Sequence, residues 1–218
     1  MSKVISFIGQ KGGSCKSTNC YCSLMLFHMA LGDKYRIGAI NTDMQPSLTR
    51  FINKTERKID LIPLLKEGDF GAENIANTIK KAKQEYDVLF VDTPGKFEGD
   101  SIPAIINSTH VLIPFQPTEN DIAPTIAFFS LLLPSIREKY NVDFKTAIFP
   151  ARVKVSSSHL KILNLIPQFK KLPPDTIMFK SYISDKMVYQ NPVPNIQKIL
   201  ESDDFIEYSK EFRDFIIN

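Results

Sequence analysis

The sequence is organised around short runs of almost unbroken apolar residues, each followed by a stretch of helical character. Candidate strands are Val4–Gly9, Arg36–Asn41, Asp87–Asp92, His110–Phe115 and Phe144–Phe149, with weaker runs at Lys58–Ile62 and Thr176–Ser181. A strand with one wet face alternates apolar and polar residues, whereas a strand covered on both faces does not. Helical candidates fall at Lys16–Leu31, Ala72–Glu85, Ile122–Lys139 and Ser158–Phe169. Strands and helices in alternation imply an α/β fold with a doubly wound, mainly parallel sheet flanked by helices. The 218 residues suit a single domain spanning 1–218. A last helix over 203–217 would carry Phe205, Tyr208, Phe212, Phe215 and Ile216 on one face.

The link between the first apolar run and the first helix is Gly9-Gln10-Lys11-Gly12-Gly13-Ser14-Cys15-Lys16-Ser17-Thr18. Strand, glycine-rich loop, Lys-Ser pair and helix in that order form the context of a phosphate-binding loop. Gly12 and Gly13 let the backbone approach a ligand and turn its amides inward. The helix start adds the positive end of a dipole. Lys16 supplies a point charge for the β- and γ-phosphates of ATP, and Ser17 a hydroxyl where Mg2+ would sit. Ser14, Cys15 and Thr18 complete the expected nucleotide-binding set. Val88–Val91 is an apolar run ending in Asp92, followed by Thr93-Pro94-Gly95. An acid at the carboxyl end of a central strand has the Walker B form, and Asp92 would hold Mg2+ through water.

Lys11 to Ser17 resembles the signature of the ParA/MinD family of deviant Walker-type P-loop ATPases: Lys-Gly-Gly, two variable residues, Lys, then Ser or Thr. Asn41-Thr42-Asp43-Met44-Gln45-Pro46 resembles the family's Asp-x-Asp-Pro-Gln segment, with Asn41 in place of the first acid and Met44 where Pro is usual. The blocks Tyr86–Gly95, Val111–Pro117 and Ser181–Pro194 look like those of short, ParF-like plasmid partition ATPases, which lack an N-terminal helix-turn-helix domain. The resemblance implies a P-loop NTPase fold and three catalytic residues. Lys11 reaches across an ATP-bound homodimer to the partner's nucleotide, Lys16 binds the transferred phosphate, and Asp43 positions the attacking water. A looser expectation is that the Gly95 amide senses the γ-phosphate. The loss of the first acid at Asn41 bears on the rate of hydrolysis rather than on binding. Cys15 stands where most members have Gly. A Cβ there strains the backbone if the position needs a positive φ. A thiol at a helix start is also expected to titrate low; a redox-sensitive switch and a tolerated small residue are both open readings.

The net charge of +3 is unevenly placed. Residues 151–200 carry a net of +6 and residues 201–218 a net of −4. A basic segment beside an acidic tail hints at a polyanion-binding face. Lys186 lies in Ser184–Tyr189, which resembles the family segment bearing a DNA-contacting basic residue. Lys180 and Arg152, with Lys170 and Lys171, are further candidates, although any one lysine can simply solvate a surface.

The family resemblance implies an ATP-driven dimer that binds DNA without sequence preference in the cytoplasm, at the nucleoid. A ParB-like centromere-binding protein would stimulate its hydrolysis. The alternative is a non-hydrolysing, ATP-binding dimerisation switch that positions another cargo. A metabolic P-loop enzyme remains a third reading. No secretory leader is expected and no apolar run has the length to span a bilayer. A lipid-bound terminal helix is disfavoured because Asp203, Asp204, Glu207, Glu211 and Asp214 would be repelled by anionic lipid. The three cysteines, Cys15, Cys20 and Cys22, share one short segment, which argues for reduced thiols and against a cluster or zinc site.

Overall fold

The computed structural model describes residues 2–9, 13, 15–95, 97, 99–154, 173, 176–186 and 195–217. The helix expected over Ser158–Phe169 lies outside the described residues, as do Lys11, Gly12, Ser14, Lys170 and Lys171. The strands are β1 (Lys3–Phe7), β2 (Ile37–Asn41), β3 (Asp60–Leu61), β4 (Val88–Asp92), β5 (His110–Phe115), β6 (Lys145–Val153), β7 (Thr176–Met178) and β8 (Ile183–Ser184). The helices are α1 (Lys16–Leu31), α2 (Ser47–Asn53), α3 (Ala72–Glu85), α4 (Ile102–Ile106), α5 (Glu119–Ala127), α6 (Leu133–Tyr140), α7 (Ile196–Leu200) and α8 (Asp203–Ile217).

The sheet runs in the order β3-β2-β4-β1-β5-β6-β7, and β8 pairs with the far end of β6. Every pairing is parallel. Burial on both faces explains the unbroken apolar runs. Side chains alternate across a strand, so Ile5 and Phe7 of β1 join Val88 and Phe90 of β4 in one core. Val4 of β1 joins Leu89 and Val91 in the other. The first core is covered by α1 and α8, the second by α3, α4 and the α5–α6 segment.

α1 is apolar around much of its circumference because it lies inside a layer. It packs on β1 and β4 and is covered by α2 and α7. Cys20 and Cys22 are free thiols buried in it. The apolar stripe of α8 is fully committed to the core: Tyr208 stacks on Phe212 with ring centroids 5.7 Å apart, and its hydroxyl lies 2.9 Å from that of Ser23. No helix among the described residues is long and apolar enough to cross a membrane.

The helix expected over Ile122–Lys139 is present as a continuous helical run, α5 through α6, that changes pitch in the middle. Phe128–Leu132 forms a π-helical turn, in which the Leu133 amide bonds the Phe128 carbonyl. Pro134 has no N–H to offer the carbonyl four residues back, which favours a locally widened ladder. β6 runs four residues beyond the expected end at Phe149. Pro150 sits in register with Phe115, and pairing with β8 carries the strand on to Val153.

Candidate functional site

The carboxyl ends of β1, β4 and β2 lie side by side, with Phe7 in register with Asp92 and Asn41 in register with Asp92. This gathers the loops after all three strands on one edge, where doubly wound sheets place their ligands. The edge is stitched by side chains. The Thr42 amide and hydroxyl both donate to the Asp92 carbonyl at 2.9 Å. The Thr93 hydroxyl donates to the Phe7 carbonyl at 2.8 Å.

Lys16 begins α1 and is only 5% exposed. Its ammonium donates to the Gly95 carbonyl at 3.2 Å, across the gap between the β1 and β4 loops. Burial lowers its pKa, while the nearby carboxylates of Asp92 and Asp43 pull it back up. No side chain caps the start of α1. Its first-turn amides, including those of Ser17 and Thr18, therefore keep donor capacity for an anion.

Asp92 is fully buried, and neither carboxylate oxygen has a hydrogen-bond partner among the described residues. Burial pushes its pKa up to about 7. Ser17 and Thr93 offset part of that rise, and so does the charge of Lys16, but Ser17 and Thr93 approach without completing a bond to the carboxylate. An orphaned buried carboxylate is costly. It fits an outer-sphere partner of a hydrated divalent cation whose remaining ligands are hydroxyl, water and phosphate oxygens. One buried carboxylate near the Ser17 hydroxyl suits Mg2+ brought with a nucleotide, whose phosphate and water oxygens would complete the ligand set.

Asp43 is half-buried close to both charges, raising the pKa values of Lys16 and Asp92. One of its oxygens accepts from the Gln45 amide at 2.8 Å, an Asx-type turn. Asn41 braces this turn. Its amide nitrogen donates to the Asp43 carbonyl at 2.8 Å while its side-chain oxygen accepts from the Asp43 amide at 3.2 Å. An ionised aspartate at 41 could accept but not donate, so here the unusual Asn serves the shape of the loop.

Cys15 has φ 58°, ψ 29°. The position does need the left-handed region, at a cost of roughly 1–2 kcal/mol for a residue with a Cβ. The expectation of a low-titrating thiol is corrected: burial pushes the Cys15 thiol up to about 11, outweighing the opposing charges of Arg152 and Lys16. It therefore stays protonated and does not repel phosphate. Gly13 has φ 88°. Its carbonyl accepts from the Gln116 side-chain Nε2 at 2.7 Å and from the Arg152 guanidinium at 3.3 Å.

Arg152 thus faces the glycine-rich loop as well as the surface. Its Nε also pairs with Asp185 at 3.2 Å. Lys186 pairs with Asp204 at 2.6 Å. Lys180 is exposed, and its backbone amide is held by Glu211 at 2.8 Å. Lys180 and Lys186 line a cleft of about 580 Å3 together with Asp203, Asp204, Glu207 and Glu211. Lys180 and Lys186 of the basic segment are thus apposed in space to acids of the terminal helix. Sequence reasoning passed over Gln116 and Asp121, whose carboxylate accepts from the Gln116 backbone N–H at 2.9 Å. A polar residue directly after the apolar β5 run was their only signal.

The sequence matches no family model and none of the curated proteins. The fold has many solved counterparts. McdA from Cyanothece superposes with a TM-score of 0.75 at 16% identity, covering 99% of each chain. A putative plasmid partition protein from Borrelia burgdorferi, bound to AMPPNP, gives 0.69 at 17% identity over 98% of each chain. The pNOB8 ParA bound to nonspecific DNA gives 0.70 at 20% identity over 99% of each chain. Cobyrinic acid a,c-diamide synthase from Mycobacterium smegmatis, with ADP and magnesium, gives 0.68 at 17% identity, covering 98% of this chain and 93% of the other. The chain therefore has the P-loop fold shared by ParA- and MinD-type ATPases. At these identities the likeness is one of fold, and function must be argued from the site.

Proposed function

We propose that this protein is a ParA-like ATPase that binds Mg-ATP, dimerises on it and positions a DNA-linked cargo. The observation that carries the reading is the buried Lys16 at the head of α1 near the buried carboxylate of Asp92 at the end of β4, which has no hydrogen-bond partner among the described residues. Lys16, the loop amides and the first turn of α1 would cradle the phosphates. Ser17 and Asp92 would hold the cation, Asp92 through water. Bound Mg2+ would neutralise phosphate charge that the protein alone offsets only in part. Asp43 would orient water, and Asn41 would hold Asp43 in place. Lys11, outside the described residues, keeps its proposed role across the dimer. The partner-bound structures of the same fold, one with AMPPNP and one with DNA, support nucleotide and DNA as ligands.

Phosphate release tests the catalytic half. Asp43→Ala is expected to bind Mg-ATP as wild type does and to turn it over about 100-fold more slowly, the loss of a water-positioning carboxylate. Equal release from both proteins would remove Asp43 from catalysis. Retention on DNA tests the other half. With ATP, affinity is expected to fall with salt along a log–log slope steeper than about −2, because several phosphates are neutralised. With ADP, retention is expected to be weak at every salt. Identical ATP and ADP curves would sink the coupling.

A second reading is favoured by one observation. Lys186 is already paired with Asp204 and sits beside three further acids of α8, a poor approach for a polyanion. On that reading the protein is an ATP-dependent dimerisation switch for a cargo other than DNA, and retention on DNA would be absent with either nucleotide.

A further inference from the structure

Arg152 has φ 54°, one of three non-glycine residues with positive φ among the described residues. It sits where the β6–β8 register shifts between Ala151 and Val153. A left-handed arginine inside a strand is strained and persists only where its surroundings over-determine it. Two contacts do so. One nitrogen of the guanidinium donates to the Gly13 carbonyl at 3.3 Å, and Nε pairs with Asp185 at 3.2 Å. The Asp185 side chain is only 8% exposed, and its amide bonds the Val153 carbonyl at 2.8 Å. The next residues are tied to α8, because Asp204 accepts from the Ser184 amide, the Ser184 hydroxyl and Lys186. Residues 183–186 are therefore suspended between two anchors, α8 on one side and, through Arg152, the glycine-rich loop on the other.

We propose that Arg152 is a positioning residue that presets the glycine-rich loop for phosphate and transmits its occupancy to residues 183–186. Arg152 and the Gln116 side chain hold the Gly13 carbonyl toward β5 and β6. A loop carbonyl fixed before the ligand arrives leaves less of the backbone to order when phosphate binds. The fork of the guanidinium lets one side chain serve the loop and Asp185 at once, which a single ammonium does not do with the same geometry. Any shift of the Gly13 carbonyl on binding is then passed to Asp185 and to the Lys186 it precedes.

This inference rests on the nucleotide reading of the site. Arg152→Gly is the informative variant, because glycine adopts the left-handed backbone without strain and only the side chain is lost. Mg-ATP affinity by calorimetry is expected to fall about tenfold, the loss of one charge-assisted bond. Hydrogen exchange at Ser184 and Asp185 is expected to slow on adding Mg-ATP to wild type, and to be unchanged by saturating Mg-ATP in the variant. Arg152→Lys, which keeps the charge without the fork, is expected to lose the same response and serves if Arg152→Gly does not fold. A wild type that binds no Mg-ATP would overturn the nucleotide reading and this inference with it. A wild type that binds, with variants matching it within twofold and showing the same slowed exchange, would overturn the role of Arg152 alone.

Discussion

Lys16→Ala is expected to abolish measurable Mg-ATP binding while leaving a folded protein. Lys16 is 5% exposed, and this burial, which lowers its pKa, is in place before any ligand arrives. Much of the cost of placing a charge there is already met in the empty protein. A triphosphate then gains a charge-assisted contact in a dry site, where such contacts are worth more than in water. Losing it is expected to weaken binding more than about 100-fold, or roughly 3 kcal/mol. The fold should notice little. Among the contacts the side chain gives up is that to the Gly95 carbonyl, which water can replace. Calorimetry with Mg-ATP, beside a thermal melt without nucleotide, reads both effects. Binding by the variant within tenfold of wild type would remove Lys16 from the phosphate site.

The second large effect concerns Asp92, where stability and ligand binding pull in opposite directions. Burial raises its pKa to about 7, against 3.8 for the ordinary carboxyl. The unfolded chain releases this proton near the lower value and the native protein only near the higher one. Between the two the native state holds more protons than the unfolded state. Stability therefore falls as pH rises through that window, by up to about 1.4 kcal/mol per pH unit, and is level above it. Asp92→Asn removes the titration. At pH 8 without nucleotide the variant is expected to be more stable by on the order of 2–4 kcal/mol, or roughly 5–10 °C in Tm. Below pH 4 the gain should vanish. Added Mg-ATP should raise the Tm of wild type and not that of the variant. A variant less stable than wild type at pH 8 would show that the carboxylate is not an uncompensated buried charge.

Both predictions draw on residues whose positions were legible in the sequence. α1 and α3 occupy the expected spans, Lys16–Leu31 and Ala72–Glu85. Their limits are written in local chemistry, a glycine loop before one and a Gly71 start before the other. Asp92 could be placed at a strand end because an unbroken apolar run of four residues has few other homes. Where a contact crossed the chain, inference from one segment lost its grip. Arg152 read as part of a basic stretch, since the sequence does not say that the end of β6 lies against a loop some 140 residues earlier. Asn41 read as a missing acid, and only its two bonds to Asp43 show what the amide does. Cys15 carried the expectation of a low-titrating thiol beside that of a tolerated small residue, because a helix start is visible in sequence and burial is not.

Apolar runs, glycines and a Lys-Ser pair act over a few residues, through sterics, backbone freedom and the ends of one helix, and they alone determined a parallel sheet with an anion-binding turn at its edge. Burial, pairing and proton affinity depend on what the rest of the chain brings near. The isolation of Asp92 between β1 and β2, the protonated Cys15, the left-handed Arg152 and the apposition of Lys186 with Asp204 were accordingly decided only when segments distant in sequence packed together. Short-range forces are set by neighbours in sequence, whereas desolvation and charge pairing are set by neighbours in space.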